Sequence, residues 1–245
     1  MSCYGRAMAF VRGSVRGVSF DYGHVLGGID LDELVRRVEA KGFPARKEAI
    51  AAAMPEAYRA HDAAIARGEG HEAGWKALMG HMVTCGTGRD AHTCAPVVDA
   101  LWDHQPISNL WRFVPAEARA LLTDLAAHGV PMVVTSNSEG RVAELAGEVE
   151  IDHFFRVILD SGRLGFGKPD RRIFELAREG LGVAMHEMVH VGDSEKADIV
   201  GAKDAGALAI RFDAFLPWAE SASRADAVAR TFDELRAQLM GALGL

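Results

Sequence analysis

The sequence is poor in cysteine, in aromatic residues and in basic charge, and it has no long apolar run. Its three cysteines, Cys3, Cys85 and Cys94, are an odd number spread widely over 245 residues. A chain of this length does not need stapling, so a disulfide-built scaffold is excluded and a reducing compartment is expected. His81, Cys85, His92 and Cys94 do cluster, but their spacing fits no common zinc-finger pattern. Lys and Arg total 27 against 34 Asp and Glu, a formal net charge of -7. A general nucleic-acid binder needs a basic surface to displace counterions, so no nucleic-acid partner is expected and small molecules are. No apolar stretch approaches the ~18 residues that span a bilayer. Arg6, Arg12 and Arg16 interrupt the N-terminal apolar pieces, where a signal peptide would be continuous. The expectation is a cytoplasmic protein without a membrane partner, either monomer or homodimer.

What is present is an ordinary globular balance, 49% hydrophobic and 25% charged residues, enough for a large core. VRGVSFDYGHVL, from Val15, is a short apolar run ending in a polar turn, which predicts a buried strand finishing near Asp21. The next clear strand is VPMVVTSN, ending at Ser136. Over a hundred residues separate them, far more than the dozen or so of a simple crossover, so an insert is predicted. Its segments 31–42, 45–68 and 71–82 have helical periodicity, and a further helix is expected around 95–104, with Pro55 kinking or breaking the second segment. Residues 30–110 are therefore read as a helical subdomain, and residues 1–29 with 111–245 as the core. After the insert, helices (115–129, 138–147, 170–180, 195–205) alternate with strands (to Ser136, 156–160, 188–192, 207–212). Such alternation with apolar strands predicts an α/β core, a doubly wound, Rossmann-like parallel sheet. FDELRAQLMGALGL is read as a closing helix.

In an open parallel sheet ligands bind beyond the carboxyl ends of the strands. The residues there are Asp21, Ser136 with Asn137, Asp160 with Ser161, Gly192 with Asp193, and Asp213. Carboxylates brought together repel unless a cation or proton lies between them, and hard oxygen ligands favour Mg²⁺. Lys168, in the loop before the helix near Pro169, is in a position to neutralise an anion. Such a crevice suits phosphoryl transfer, with Asp21 attacking phosphorus and water hydrolysing the aspartyl phosphate.

FDYGHVL, VVTSN, GKPD followed by IFELA, and VGDSEKAD, in that order, resemble the four motifs of the haloacid dehalogenase (HAD) superfamily, over residues of about 15 to 212. The resemblance implies Asp21 as nucleophile, Ser136 and Asn137 as phosphate binders, and Lys168 as the charge-balancing lysine. It implies Asp193 as metal ligand together with Asp21 and the Gly23 carbonyl, with Asp198 in support. The insert is similar to the family's helical (C1-type) cap, which selects the substrate. A Mg²⁺-dependent phosphatase of a small phosphorylated metabolite, such as a sugar phosphate, is the activity it implies.

One position departs from the phosphatase pattern. Two residues after the nucleophile, where the family's phosphatases have an acid-base aspartate, stands Gly23. A general acid contributes ~10²–10⁴ in rate, so a good leaving group or a substitute acid is expected. His24 is the nearest imidazole; strand alternation would direct it away from Asp21, whereas a turn would free it. Two other readings follow. A 2-haloacid dehalogenase shares fold and nucleophile, but Asp193 in GDSEKAD and Tyr22 directly after the nucleophile argue against it. A degenerate protein that binds a phosphorylated ligand or a protein partner without turnover is motivated by Gly23. Ser136 with Glu139 also fits a helix capping box, and Gly162 to Lys168 begins like a phosphate-binding Walker A loop but meets Pro169 where Ser or Thr would be needed. The insert's Trp75, Trp102, Trp111, His61, His71 and His81 are read as packing or solvated face rather than ligands.

Overall fold

The computed structural model describes residues 10–215 and 222–245, so Cys3 and Arg6 lie outside the described residues. It divides into two compact units, residues 29–111 and residues 1–28 with 112–245.

The second of these is built on six parallel strands: β1 (Gly17–Phe20), β2 (Met132–Ser136), β3 (Ile158–Asp160), β4 (Met188–Gly192), β5 (Leu208–Phe212) and β6 (Ala227–Ala229). Their order is β3-β2-β1-β4-β5-β6, every neighbour pair parallel. β1, β2 and β4 are buried along their whole length. That is why their sequences are near-continuous apolar runs: a sheet covered on both faces has no solvent side to alternate with. The chain winds outward from β1 in one direction through β2 and β3 and in the other through β4 to β6. The switch point therefore falls beside β1, where parallel α/β sheets open a crevice at the carboxyl ends of their strands.

The helical unit contains α1 (Leu31–Glu39), α2 (Lys47–Ala66), α3 (His71–Thr87) and α4 (Ala91–His104). Asp30 and Asp90 cap α1 and α4, each accepting from the backbone N–H three residues on. Pro55 neither breaks nor ends α2, which runs unbroken through it. An interior proline costs ~3 kcal/mol, and here α2 packs along α3 and buries Ile50, Ala53, Ala57, Tyr58 and Ala64, which offsets that cost. Trp75 is buried with its ring 5.3 Å from Trp102, which also contacts His71. Cys85 lies 3.8 Å from His81, but Cys94 contacts Thr87 instead, and among the described residues these side chains form no metal-holding group.

Back in the sheet unit, helices α5 (Ala116–Ala127), α6 (Val142–Glu148), α7 (Ser161–Leu164), α8 (Arg171–Leu181), α9 (Gly201–Ala205) and α10 (Phe232–Leu243) flank the strands. One core joins Ile173, Phe174, Ala177 and Leu181 of α8 to Val133, Leu159, Met188, Ile199 and Ala202. Two departures from the sequence expectation matter for the site. The helix expected from 138 begins only at Val142, because Asp160 at the end of β3 draws residues 138–142 into a loop. Its carboxylate accepts from the Ser138 hydroxyl (2.8 Å) and from the N–H groups of Gly140 (3.0 Å), Val142 (3.0 Å) and Gly162 (2.9 Å). Asp160 thus caps α6, which begins after Arg141 rather than at Ser136. Secondly, the helix expected over 195–205 opens with a wide, π-type turn, Glu195–Val200, before α9. Such turns are frequent at functional sites, and this one contains Asp198. Strand β6 was not expected, being too short for its pattern to stand out.

Candidate active site

Asp21 follows β1 and Asp193 follows β4, so the pairing of Phe20 with Val191 brings both to one end of the sheet. Asp198 reaches the same point from the turn after β4. Carboxylate oxygens of Asp21, Asp193 and Asp198 lie within 4.8 Å of one another. Asp198 gets that close because the residue facing it is glycine: a Cβ on Gly192 would stand 2.2 Å from the Asp198 Cγ.

Lys168 is the counter-charge. Its Nζ lies 2.8 Å from Asp21 Oδ1 and 2.6 Å from Asp198 Oδ1, with the side chain 2% exposed. Its backbone is fixed by Asn137, whose Oδ1 accepts from Lys168 N–H (2.8 Å) and whose Nδ2 donates to Lys168 C=O (2.9 Å). Asn137 therefore uses its side-chain amide to clasp the lysine loop. Ser136 is buried at the carboxyl end of β2, and the pairing of Phe20 with Val134 sets it one residue beyond the level of Asp21.

The charges are unequal in number: three carboxylates share one ammonium. Burial, aided by Asp198 and Asp193 and opposed by Lys168, raises the Asp21 carboxyl from 3.8 to about 7. For Asp198 burial acts in the same direction but is outweighed by Lys168 and by the hydrogen bond from His190, which hold it below the usual carboxylate range. Burial works to neutralise Lys168, but Asp198 and Asp21 prevail and push its pKa up to about 12. The surroundings thus favour the charged forms of Lys168 and Asp198 and disfavour the charged form of Asp21.

The turn after Asp21 decides where His24 points. Tyr22 C=O accepts from Leu26 and Gly27 N–H, and His24 N–H donates to Gly27 C=O at 2.7 Å. To close this turn His24 takes φ +56°, a left-handed conformation that costs a residue with a Cβ roughly 1–2 kcal/mol. Strand alternation ends before it, and its Nδ1 lies 3.1 Å from Asp193 Oδ2. Gly23 stands in the same turn. Two other candidates lie apart from this cluster: Asp160 is occupied with the 138–142 loop, and Asp213 pairs with Arg211 at 3.0 Å.

Sequence reasoning passed over one group. Ser19, Thr135 and His190 are fully buried polar residues in the centres of β1, β2 and β4. Thr135 Oγ1 is 2.9 Å from Ser19 Oγ, which is 2.9 Å from His190 Nδ1, and His190 Nε2 is 3.0 Å from Asp198 Oδ1. Burial holds the imidazole below its ordinary pKa despite Asp198. The signal was available: VSF, VVTS and MVHVG each place a polar residue inside an otherwise apolar strand, where a buried polar group needs a partner.

A family model described as haloacid dehalogenase-like hydrolase matches residues 29–206. The match begins after the FDYGHVL segment, so the place of Asp21 rests on the geometry. Haloacid dehalogenase-like hydrolase domain-containing protein 3 of Bos taurus is 27% identical over 179 residues, 71% of each chain. Phosphoserine phosphatase of Thermus thermophilus is 36% identical over 101 residues, 40% of this chain and 39% of that protein. Among solved structures, a HAD phosphatase from Thermococcus onnurineus superposes with TM-score 0.61 at 20% identity, over 93% of this chain and 99% of that one. A 2-haloacid dehalogenase from Pseudomonas syringae does so with TM-score 0.56 at 22% identity, over 92% and 98%. These structures share the fold.

Proposed function

Because the chain belongs to the haloacid dehalogenase-like hydrolases, we propose that it is a Mg²⁺-dependent phosphatase acting on a small phosphorylated metabolite, such as a sugar phosphate. The observation that carries this reading is the excess of buried negative charge: Asp21, Asp193 and Asp198 within 4.8 Å, with Lys168 as their ammonium partner. An anionic substrate adds to that charge, and an all-oxygen donor set suits a hard divalent cation. Asp21, Asp193 and the Gly23 carbonyl are the groups proposed to hold it. Bound there, Mg²⁺ would offset the charge of the carboxylates and of the transferring phosphoryl group. A dehalogenase needs no such cation, which disfavours that second activity for this donor set. Phosphatases among the relatives, of phosphoserine in T. thermophilus and of phosphoglycolate in Neisseria meningitidis, support the chemistry without fixing the substrate.

In the proposed reaction an Asp21 oxygen attacks phosphorus as the bond to the leaving oxygen breaks, giving an aspartyl phosphate; water then attacks that phosphorus and returns the carboxylate. Lys168, charged and fixed on Asp21, neutralises the group as it transfers. Ser136, through its hydroxyl, and Asn137, through its main chain, are the proposed phosphate contacts. Gly23 has no proton to give the leaving oxygen. His24 is the proposed substitute, held at Asp193 by its turn; the alternative is a leaving group that needs no acid. The helical unit is proposed to select the substrate.

A screen of phosphorylated metabolites for phosphate release, with Mg²⁺ or with EDTA, tests the reading. Wild type should release phosphate only with the metal, and Asp21→Asn should not. Equal behaviour of the two proteins overturns it. Gly23 also motivates a second reading, a phosphate-ligand binder without turnover. Calorimetric binding with no hydrolysis of any ester would favour that one, and any Asp21-dependent hydrolysis excludes it.

A further inference from the structure

We propose that His190 is a positioning residue, the last member of a buried hydrogen-bond chain from Thr135 through Ser19 that fixes the Asp198 carboxylate against the Lys168 ammonium. The kinetic part of this inference rests on the phosphatase reading; the structural part does not.

The direction of the chain follows from its acceptor end. A carboxylate only accepts, so His190 must carry its hydrogen on Nε2, 3.0 Å from Asp198 Oδ1. Its Nδ1 then accepts, and the Ser19 hydroxyl at 2.9 Å donates to it. Ser19 Oγ in turn accepts from the Thr135 hydroxyl, again at 2.9 Å. Each hydroxyl and the ring thus point one donor toward Asp198, across three neighbouring strands. The ring plane is further set by Phe174, whose ring stands edge-on at 5.3 Å and 85°.

Asp198 is consequently held on both oxygens. Oδ1 accepts from His190 and forms an ion pair with Lys168, and Oδ2 accepts from the Ser194 N–H at 2.9 Å. Of these partners, His190 is the one that ties the carboxylate to the centre of the sheet. The lysine that Asp198 shares with Asp21 inherits that placement. Partners behind the groups that meet the reaction commonly affect activity by ~10–100-fold.

The test uses the full-length chain. In the metal-free protein, the ¹⁵N signals of the His190 imidazole, assigned by their loss in His190→Gln, should be those of a neutral ring protonated at Nε2. A ring protonated at Nδ1 overturns the proposal. In a second arm, p-nitrophenyl phosphate is hydrolysed with Mg²⁺ by variants corrected for their folded fraction. His190→Phe should lower kcat at least about tenfold with KM changed less than about threefold, and His190→Gln, which keeps a donor for Asp198, should recover most of kcat. Ser19→Ala should fall between them. Wild-type kcat in His190→Phe, or no recovery in His190→Gln, overturns the proposal. If wild type itself hydrolyses no phosphate ester, the phosphatase reading is what fails, and the imidazole signals alone decide the placement of Asp198.

Discussion

Replacing Asp21 by Asn should abolish turnover and at the same time stabilise the metal-free protein. The second effect follows from the charge imbalance. Folding raises the Asp21 carboxyl from 3.8 to about 7, chiefly through burial and then through Asp198 and Asp193, against the attraction of Lys168. At about 1.4 kcal/mol for each tenfold in the protonation equilibrium, keeping this group ionised costs the folded state at most about 4–5 kcal/mol. The side chain retains 13% of its surface in solvent, and halving for screening leaves about 2 kcal/mol. Because the folded value is the higher one, the stabilising contribution of protonated Asp21 is complete below about pH 4 and is lost as pH rises through about 7. An asparagine stays neutral throughout. The variant should therefore melt with wild type near pH 4 and pull ahead between about pH 4 and 7. By about pH 9 in EDTA it should lead by roughly 4–8 °C, taking 2–4 °C per kcal/mol for a chain of this size. Thermal melts across that range are the assay. An Asn variant no more stable than wild type at the alkaline end would refute the electrostatic reasoning.

Three further outcomes follow from the same geometry. Lys168→Met leaves Asp198 buried without its ammonium, which should cost about 3–5 kcal/mol and lower the melting temperature by roughly 10 °C, besides abolishing phosphate release; a variant that melts like wild type would contradict the pairing. Gly192→Ala sets a methyl group 2.2 Å from the Asp198 Cγ and should reduce hydrolysis by roughly 10–100-fold; undiminished rates would show that Asp198 need not stay where it is. Asp160→Ala removes the acceptor for Ser138, Gly140, Val142 and Gly162 and should cost about 3 kcal/mol in urea unfolding; an unchanged midpoint would mean the 138–142 loop is held by other contacts.

The parallel α/β core was legible because buried strands are continuous apolar runs punctuated by the residues that end them. Asp21 and Asp193 stood out for the same reason, as charges placed where apolar runs stop, and Lys168 as a cation in the loop before α8; the fold brings them together with Asp198. Less legible were features decided by contacts distant in sequence. Ser136 and Glu139 have the local pattern of a helix cap, yet Asp160, beyond the next helix, draws that segment into a loop and moves the start of α6. Pro55 reads locally as a break, and the packing of α2 along α3 overrides it. The side of the sheet that His24 faces depends on a turn closed by Tyr22 and Gly27, which period-two reasoning could not anticipate. The Ser19, Thr135 and His190 chain was visible only as three polar residues in apolar strands; their pairing needs the strand order, which puts β1 between β2 and β4.

The proposed role of Asp21 is to carry the phosphoryl group. It is tested most directly by acid-quenching the wild-type protein during turnover of an active phosphate ester with Mg²⁺ and mapping modified peptides by mass spectrometry. A phosphoryl group is expected on the peptide containing Asp21, absent from Asp21→Asn and absent when EDTA replaces the metal. Phosphate release that proceeds at the wild-type rate in Asp21→Asn, or a phosphoryl group found on another residue in wild type, would contradict it.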